Sequence, residues 1–178
     1  GPPMNAELAA LVVAVTSGDV AGVKELLRAE GGDDLFDRRD ECDGRTPLFF
    51  AVTEGTLAVA RILLKVRADI ETRDKKGWTP LMAAANEGQT ELVRLLLDAG
   101  AEPDVCDQRG NTALKYAELQ LMAVEKIGEP VGWRAKCRRP KEEHLKKFGD
   151  TVGLLKTDSG ARSEAVRRYR KALREEGE

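Results

Sequence analysis

Two stretches of the chain repeat the same order of apolar and polar positions. In each, a short apolar stripe is followed by a glycine and then by a longer stripe, both at the three- and four-residue spacings of amphipathic helices. The stripes of the first stretch are Leu48, Ala51 and Val52, then Val59, Ile62, Leu63 and Leu64. Those of the second are Leu81, Ala84 and Ala85, then Leu92, Leu95, Leu96 and Leu97. The pattern predicts pairs of short helices, which bury their apolar faces only if neighbouring pairs stack.

A short motif precedes each first stripe. Gly-x-Thr-Pro-Leu occupies residues 44–48 and 77–81. An imperfect copy, Gly-Asn-Thr-Ala-Leu, occupies residues 110–114. Its threonines, Thr46, Thr79 and Thr112, are 33 residues apart. Threonine at the N-cap offers an oxygen to a free helix amide, and the proline that follows suits a first turn. Gly55 and Gly88 are predicted to end the first helix of each pair in a left-handed conformation.

The pattern extends weakly in both directions. Residues 11–18 mirror residues 48–55 at an offset of 37, with a four-residue insertion near residues 31–34, which predicts a first unit that caps the array. In the fourth unit, Leu121 stands where the closing glycine belongs. The helix that starts after Thr112 is therefore expected to continue toward Ile127.

Residues 5–121 resemble the ankyrin repeat, most closely in the two stretches that carry Thr-Pro-Leu. The resemblance implies an all-α ankyrin-repeat solenoid of a capping unit, two regular repeats and one divergent repeat, with a C-terminal helical extension. The histidine that the family places after Thr-Pro-Leu is replaced by Phe49, Met82 and Lys115, which predicts a looser polar network there. Arg67 replaces the usual glycine, so we expect the second helix of that unit to end differently.

We divide the chain into a tag remnant at residues 1–3, an ankyrin-repeat domain at residues 4–127 and a basic, helical extension at residues 128–178. Residues 131–178 carry 14 Lys and Arg against 8 Asp and Glu, a balance of +6; the remaining 15 against 23 give residues 1–130 a balance of −8. The extension is expected to pack on the last repeat or to follow it. Specifically, the segment near Val131 and Trp133 is expected to cover the apolar side chains Leu119, Leu121, Met122 and Val124.

Two further helices are predicted in the extension. One starts at Pro140 and ends at Gly149, with His144 as a solvated residue on it. The other spans residues 163–173, where an apolar stripe is accompanied by the cations Arg167, Arg168, Arg170 and Lys171. These cations form either a solvated face over a packed stripe or a contact for an acidic protein surface, nucleic acid, anionic lipid or the chain's own acidic repeat face.

The ankyrin resemblance implies that a partner protein binds the turn tips and the concave side of the first helices. The corresponding positions here are Cys42, Asp43, Arg45, Thr53, Glu54, Lys75, Lys76, Trp78, Asn86, Glu87, Gln108, Arg109, Asn111, Leu119 and Gln120. Trp78 stands out because an exposed tryptophan beside lysines is typical of an interface anchor. The alternative is that Trp78 is partly buried on Phe49 or Arg109.

Other classes of function find little support in the sequence. His144 is the only histidine, so no Ser-His-Asp or Cys-His arrangement can be built within the array. Without Cys-x-x-Cys pairs or a phosphate loop, we expect neither a metal nor a cofactor. The cysteines are three and widely spaced, which favours a reducing compartment. Cys106 is interpreted as semi-buried and inert, with a reactive thiol as the less favoured alternative.

The sequence therefore predicts a non-catalytic adaptor or scaffold that is monomeric alone, has no transmembrane segment and works in the cytoplasm, the nucleus or both. Its expected partner is another protein. Nucleic acid and anionic lipid are the less favoured alternatives, because the positive charge of the extension is interrupted by acidic residues and aromatic residues are sparse.

Overall fold

The computed structural model describes residues 6–28, 32–127 and 142–158, and within these ranges it contains helices and turns but no strand. The α-helices are α1 (Ala6–Ser17), α2 (Val20–Arg28), α3 (Pro47–Thr53), α4 (Leu57–Lys65), α5 (Pro80–Asn86), α6 (Thr90–Asp98), α7 (Ala113–Ile127) and α8 (residues 142–158). A 3₁₀ helix, Gly32–Asp37, overlaps the predicted insertion of the first unit and extends beyond it. The predicted all-α class is confirmed.

The helices form two layers. The first helices of the units, α1, α3, α5 and α7, pack side by side in chain order, and the second helices, α2, α4 and α6, pack on them and on one another. One continuous core runs between the layers. It contains Leu48 and Leu81 of the first helices and Leu63 and Leu96 of the second helices, all of them buried. The 33-residue period of the sequence is therefore the period of the stack.

The threonine N-caps differ between units. The Thr79 hydroxyl oxygen accepts a hydrogen bond from the Met82 amide at 3.3 Å, and that of Thr112 accepts one from the Lys115 amide at the same distance. Thr46 was expected to do the same, and this expectation is wrong. Its side chain lies 3.2 Å from the buried hydroxyl of Thr72 instead. Because a buried hydroxyl needs a hydrogen-bond partner, the Thr46 side chain pairs with the Thr72 hydroxyl and not with the helix amide.

Arg67 ends its helix in the same way as glycine does. Helices α4 and α6 are both nine residues long, and each is followed by a residue with positive φ, +66° at Arg67 and +100° at Gly100. The expectation of a different helix end is therefore wrong. The left-handed conformation costs a side-chain-bearing residue about 1–2 kcal/mol, and the amides of Arg67 and Ala68 close the helix end by donating to the carbonyl oxygens of Leu64 and Leu63, each at 3.1 Å.

Helix α7, the last helix of the first layer, continues past Leu121, the position at which a glycine would be expected to end it. Helix α7 is 15 residues long and ends at Ile127, as predicted. Val124 is buried and Leu121 is partly buried, whereas Leu119 and Met122 remain 45% and 47% exposed. Val131 and Trp133, which were expected to cover these side chains, lie outside the described residues.

Helix α8 runs through Gly149 to residue 158, so the predicted end at Gly149 is wrong. A buried stripe at helical spacing, His144, Phe148, Thr151 and Leu155, explains why the helix continues. Each glycine costs a helix roughly 1 kcal/mol, which the burial of this stripe offsets. His144 is only 2% exposed, and its predicted position in solvent is therefore also wrong.

Helix α8 contacts the array at α6 and α7. The Thr90 hydroxyl lies 2.9 Å from the Thr151 hydroxyl and donates to the carbonyl oxygen of Lys147 at 3.1 Å. Lys156 forms a 3.0 Å salt bridge with Glu118 of α7. These contacts attach the extension to the last repeats.

The turn glycines show which place α8 takes in the stack. A Cβ atom added at Gly55 would meet the Gln89 side chain at the start of the next second-layer helix. A Cβ atom added at Gly88 would meet the ring of Phe148 at 2.6 Å. Phe148 thus contacts Gly88 as Gln89 contacts Gly55, and α8 stands where the second helix of the fourth unit is missing.

Candidate binding surface at the turn tips

Three turn tips project from the starts of α3, α5 and α7, and each begins with an aspartate. Backbone hydrogen bonds close them between Asp40 and Arg45, Asp74 and Trp78, and Asp107 and Asn111, at 2.9–3.0 Å. The aspartate carboxylates accept further hydrogen bonds from backbone amides within their own tips. These bonds hold the tips in one defined shape.

These aspartates were not among the predicted site residues. Asp74 and Asp107 both stand three residues before the glycine of the Gly-x-Thr motif, and Asp40 stands four residues before it. A carboxylate at a repeated offset before a turn glycine is a usable signal, because aspartate side chains readily bond the amides that follow them.

Neighbouring tips are bonded to each other. The Lys75 amide donates to the Asp43 carbonyl oxygen at 2.8 Å, and the Gln108 side chain donates to the Lys75 carbonyl oxygen at 3.0 Å. The Lys75 ammonium donates to the carbonyl oxygens of Glu41 and Cys42, each at 2.6 Å. Two predicted contact residues, Lys75 and Gln108, therefore also hold the ridge of tips together.

Arg45 links the first tip to the second. Its guanidinium forms salt bridges with Asp43 at 3.6 Å and with Asp74 at 3.8 Å, and it lies 5.1 Å from the centre of the buried Phe49 ring. The Phe49 position, where the family places histidine, thus serves as an aromatic platform for a cation.

Trp78 is partly buried and packs against Tyr116, a neighbour that was not predicted. The two ring centres are 4.4 Å apart with a 52° angle between the planes, and the Trp78 indole N–H donates to the Tyr116 hydroxyl at 3.1 Å. The Tyr116 hydroxyl in turn donates to the Asp107 carboxylate. Trp78 and Tyr116 are both partly buried, so the chain holds a half-exposed aromatic pair in place.

The electrostatics of this group follow from its hydrogen bonds. Burial alone would raise the pKa of the Asp107 carboxyl, but hydrogen bonds from Tyr116 and from the amides of Asn111 and Arg109 outweigh it and lower that pKa below its ordinary value. Burial, assisted by the hydrogen bond to Asp107, raises the pKa of Tyr116. At neutral pH the pair is therefore a carboxylate and a neutral phenol.

The predicted helix positions form a second, more polar group. The Gln120 side chain is buried and donates to the Asn86 side chain at 2.9 Å, which donates to Glu87 at 3.2 Å. Thr53 bonds within its own helix, to the Phe50 carbonyl oxygen, and Glu54 is exposed. Of the positions on α7, Leu119 presents an apolar side chain to solvent.

A family model described as ankyrin repeats, in three copies, matches residues 3–74 and 66–125, more than half of the chain. The chain belongs to the ankyrin-repeat family. No curated protein matches it.

The ankyrin array also has a groove at its N-terminal end. It has a volume of about 670 Å³ and is lined by Ala9, Ala10, Val13, Ala14, Ser17, Asp19, Gly22, Glu25 and Leu26. At the offset of 37, Gly22 and Glu25 correspond to Val59, which is buried in the core, and Ile62, which packs against it. Among the described residues, glycine and glutamate at these positions leave this end of the array open and polar at its rim, as suits a capping unit.

Two other predictions about the ankyrin chain concern cysteines and the extension. Cys106 is exposed, not semi-buried as expected, because it lies in the loop before the third tip. Arg167, Arg168, Arg170 and Lys171 lie outside the described residues.

Within the described ranges, no helix is both long and apolar enough to span a bilayer.

Proposed function

We propose that this ankyrin-repeat protein is a non-catalytic adaptor or scaffold that binds a partner protein through its turn tips and the concave side of its first helices. Ankyrin repeats are generally protein–protein interaction modules. The observation that carries the proposal is the half-exposed pair of Trp78 and Tyr116, held by Asp107. A large aromatic surface that is already rigid loses little conformational entropy on binding, which favours its use as an anchor.

The contacts of the candidate residues suggest different roles for them. Arg45, Lys75, Asn86 and Gln108 bond to other parts of the array and so support its shape. Lys76 and Arg109 are exposed beside the aromatic pair. We propose that these two cations and Trp78 make the strongest contacts, and that Asp43, Thr53, Glu54, Glu87, Asn111 and Leu119 extend the surface around them.

The test is a comparison of partners captured from native cell extract by the wild-type protein and by Trp78→Ala. We expect Trp78→Ala to lose a partner, with affinity reduced by about tenfold or more, as for a central anchor residue. Because Trp78 packs on Tyr116, the variant also loses some stability. Phe36→Ala, which truncates a partly buried aromatic in the first unit, is the matched control and should retain the partner. Equal capture by the wild type and by Trp78→Ala would contradict the proposal.

A second candidate rests on the charge balance of +6 in residues 131–178. In this proposal the basic extension binds nucleic acid, anionic membrane or the acidic repeat face, and the repeats regulate it. A chain that ends at residue 158 lacks Arg167, Arg168, Arg170 and Lys171 but keeps α8. Steeply salt-dependent binding of an oligonucleotide or of phosphatidylserine vesicles, lost in that shorter chain, would favour this candidate. A gain in partner affinity on the same truncation would favour occupation of the array by its own extension.

A further inference from the structure

The second and third tips present only positive charge to solvent. They carry Lys75, Lys76 and Arg109, and their two carboxylates, Asp74 and Asp107, are buried and turned inward to backbone amides. Lys76 and Arg109 are exposed and form no salt bridge with any part of the chain that the structure describes. The Lys75 ammonium is bonded to neutral carbonyl oxygens and forms no salt bridge within the described residues.

The aromatic pair lies within this positive surface. Trp78 is the residue two positions after Lys76, and Tyr116 follows Lys115, whose side chain is also exposed. The indole N–H and the phenol O–H are already used within the protein, by Tyr116 and by Asp107. What the pair offers a ligand is therefore apolar ring surface, and the exposed charged side chains next to it in the sequence, Lys76, Arg109 and Lys115, are positive.

Position in the repeat sets the spacing of the charges. Lys76 and Arg109 are 33 residues apart, so they occupy the same place in successive repeats. Packed helices lie about 8–10 Å apart, and a peptide in the extended polyproline II conformation rises about 3.1 Å per residue with three residues per turn. Two acidic side chains three residues apart on such a peptide lie on the same side of it, about 9 Å apart, and therefore match the distance between Lys76 and Arg109.

We infer that this surface, formed by Trp78, Tyr116, Lys76, Arg109 and Lys115, binds an extended acidic segment of a partner protein, with carboxylates three residues apart and an apolar side chain between or beside them. The apolar side chain covers the aromatic pair, and the carboxylates pair with Lys76 and Arg109. The inference rests on the proposed function, to which it adds the chemistry of the partner.

The first tip limits the site on one side. Asp43 occupies the place that Lys76 and Arg109 have in the next two repeats, and Glu41 beside it is also exposed. The acidic segment therefore extends over the second and third tips but not over the first. The chain's own cations in residues 167–171 would meet like charge here, which argues against the basic extension as the occupant of this site.

The test uses a fluorescent peptide of about twelve residues, long enough to cross both tips in extended form. It contains Glu-x-x-Glu with a leucine between the glutamates, and is compared with a version that has lysines for the glutamates and with one that has glycine for the leucine. An oligothymidylate of equal charge tests whether any polyanion suffices. Binding is measured by fluorescence anisotropy at about 0.05 M and 0.3 M salt, and the indole N–H resonance of Trp78 reports where the ligand lies.

We expect the Glu-x-x-Glu peptide to bind, to shift the Trp78 resonance and to weaken with salt. The double variant Lys76→Glu/Arg109→Glu should bind it about tenfold less tightly, since removing rim charges lowers steered association, and should now prefer the lysine peptide. Lys24→Glu/Lys65→Glu, on α2 and α4, makes the same change in net charge at exposed positions and should bind as the wild type does. The glycine version should bind several-fold less tightly than its leucine parent.

Three results would overturn the inference. They are equal binding of the glutamate and lysine peptides, unchanged binding by the Lys76→Glu/Arg109→Glu variant, and tighter binding of the oligothymidylate than of the peptide. Capture of the native partner by the variants distinguishes a failure of this inference from a failure of the proposed function. If Trp78→Ala loses the partner and the charge reversal keeps it, the adaptor proposal stands and the acidic segment is wrong. If neither change affects the partner, both fail.

Discussion

At the scale of single residues, Asp107 has two roles in the array. Its carboxylate shapes the third tip by accepting backbone hydrogen bonds, and it orients the Tyr116 hydroxyl that holds Trp78. Trp78 is identifiable in the sequence as an unusual residue at a tip, whereas Tyr116 is 38 residues away and carries no local sign of the pairing. The candidate anchor was therefore predictable, but its rigid setting was not.

Asp107 should contribute stability that depends on pH. Its pKa is lower in the folded protein than in the unfolded chain, so the unfolded chain takes up a proton first as the pH falls. The contribution is complete above the ordinary pKa of about 4 and disappears as the pH drops through the folded value. We expect Asp107→Asn to lower the free energy of unfolding at pH 7 by about 1–2 kcal/mol and to reduce its fall between about pH 5 and pH 3, as measured by urea denaturation.

The control for this prediction is Asp98→Asn, which removes one exposed carboxylate at the end of α6. It should change the free energy of unfolding at pH 7 by less than about 0.5 kcal/mol. If Asp107→Asn and the wild type lost stability in parallel on acidification, the hydrogen bonds of Asp107 would not favour its charged form.

At the scale of elements, the divergent part of the chain is the fourth unit. The sequence predicted that α7 would continue, because Leu121 replaces the closing glycine, and α7 does so. It did not predict that α8 would occupy the place of the missing second helix. Glycine at position 149 is a local signal for a helix end, but a buried stripe that reaches Leu155 outweighs it.

The contact between Gly88 and Phe148 can be tested with a matched pair of substitutions. Gly55 and Gly88 have similar positive φ values, +74° and +60°, so alanine meets similar backbone strain at both. Alanine at position 55 would meet the flexible end of the Gln89 side chain, whereas alanine at position 88 would meet the Phe148 ring at 2.6 Å. We expect Gly88→Ala to lower the free energy of unfolding by about 1–2 kcal/mol more than Gly55→Ala does, as measured by urea denaturation.

Leucine at position 148 is smaller than the phenylalanine ring that the added methyl group would meet. The loss in free energy of unfolding caused by Gly88→Ala should therefore be smaller when Phe148→Leu is also present. Equal losses for the two glycine substitutions would show that α8 does not press on this turn in solution.

At the scale of the whole molecule, stability is the sum of the repeats and of the contacts between neighbours. The C-terminal end of such a stack is its most exposed part, and α8 covers it with the buried residues Phe148, Val152 and Leu155. We expect removal of residues 129–178 to lower the thermal midpoint by at least about 5 °C, as followed by circular dichroism. Removal of residues 159–178 alone, which leaves α8 in place, should lower it by much less.

An unchanged midpoint after the longer deletion would mean that the three preceding units are stable without their cover. Equal losses from both deletions would place the stabilising contact in residues 159–178 instead of α8.

The sequence by itself determined the class of fold and the places and register of the first three helix pairs. It could do so because each unit repeats at 33 residues and because the apolar stripes, the threonine-proline starts and the turn glycines are local features that agree with one another. The same period places the tips, and so it was sufficient to name the candidate surface.

Only the tertiary structure decided how particular side chains are used. Thr46 bonds to Thr72, Trp78 stacks on Tyr116, and Phe148 fills the space above Gly88. Each of these pairs joins residues that are 26 or more positions apart in the chain. Which partner a side chain contacts depends on the distances that the stacking of the repeats sets. No local pattern of residues contains those distances.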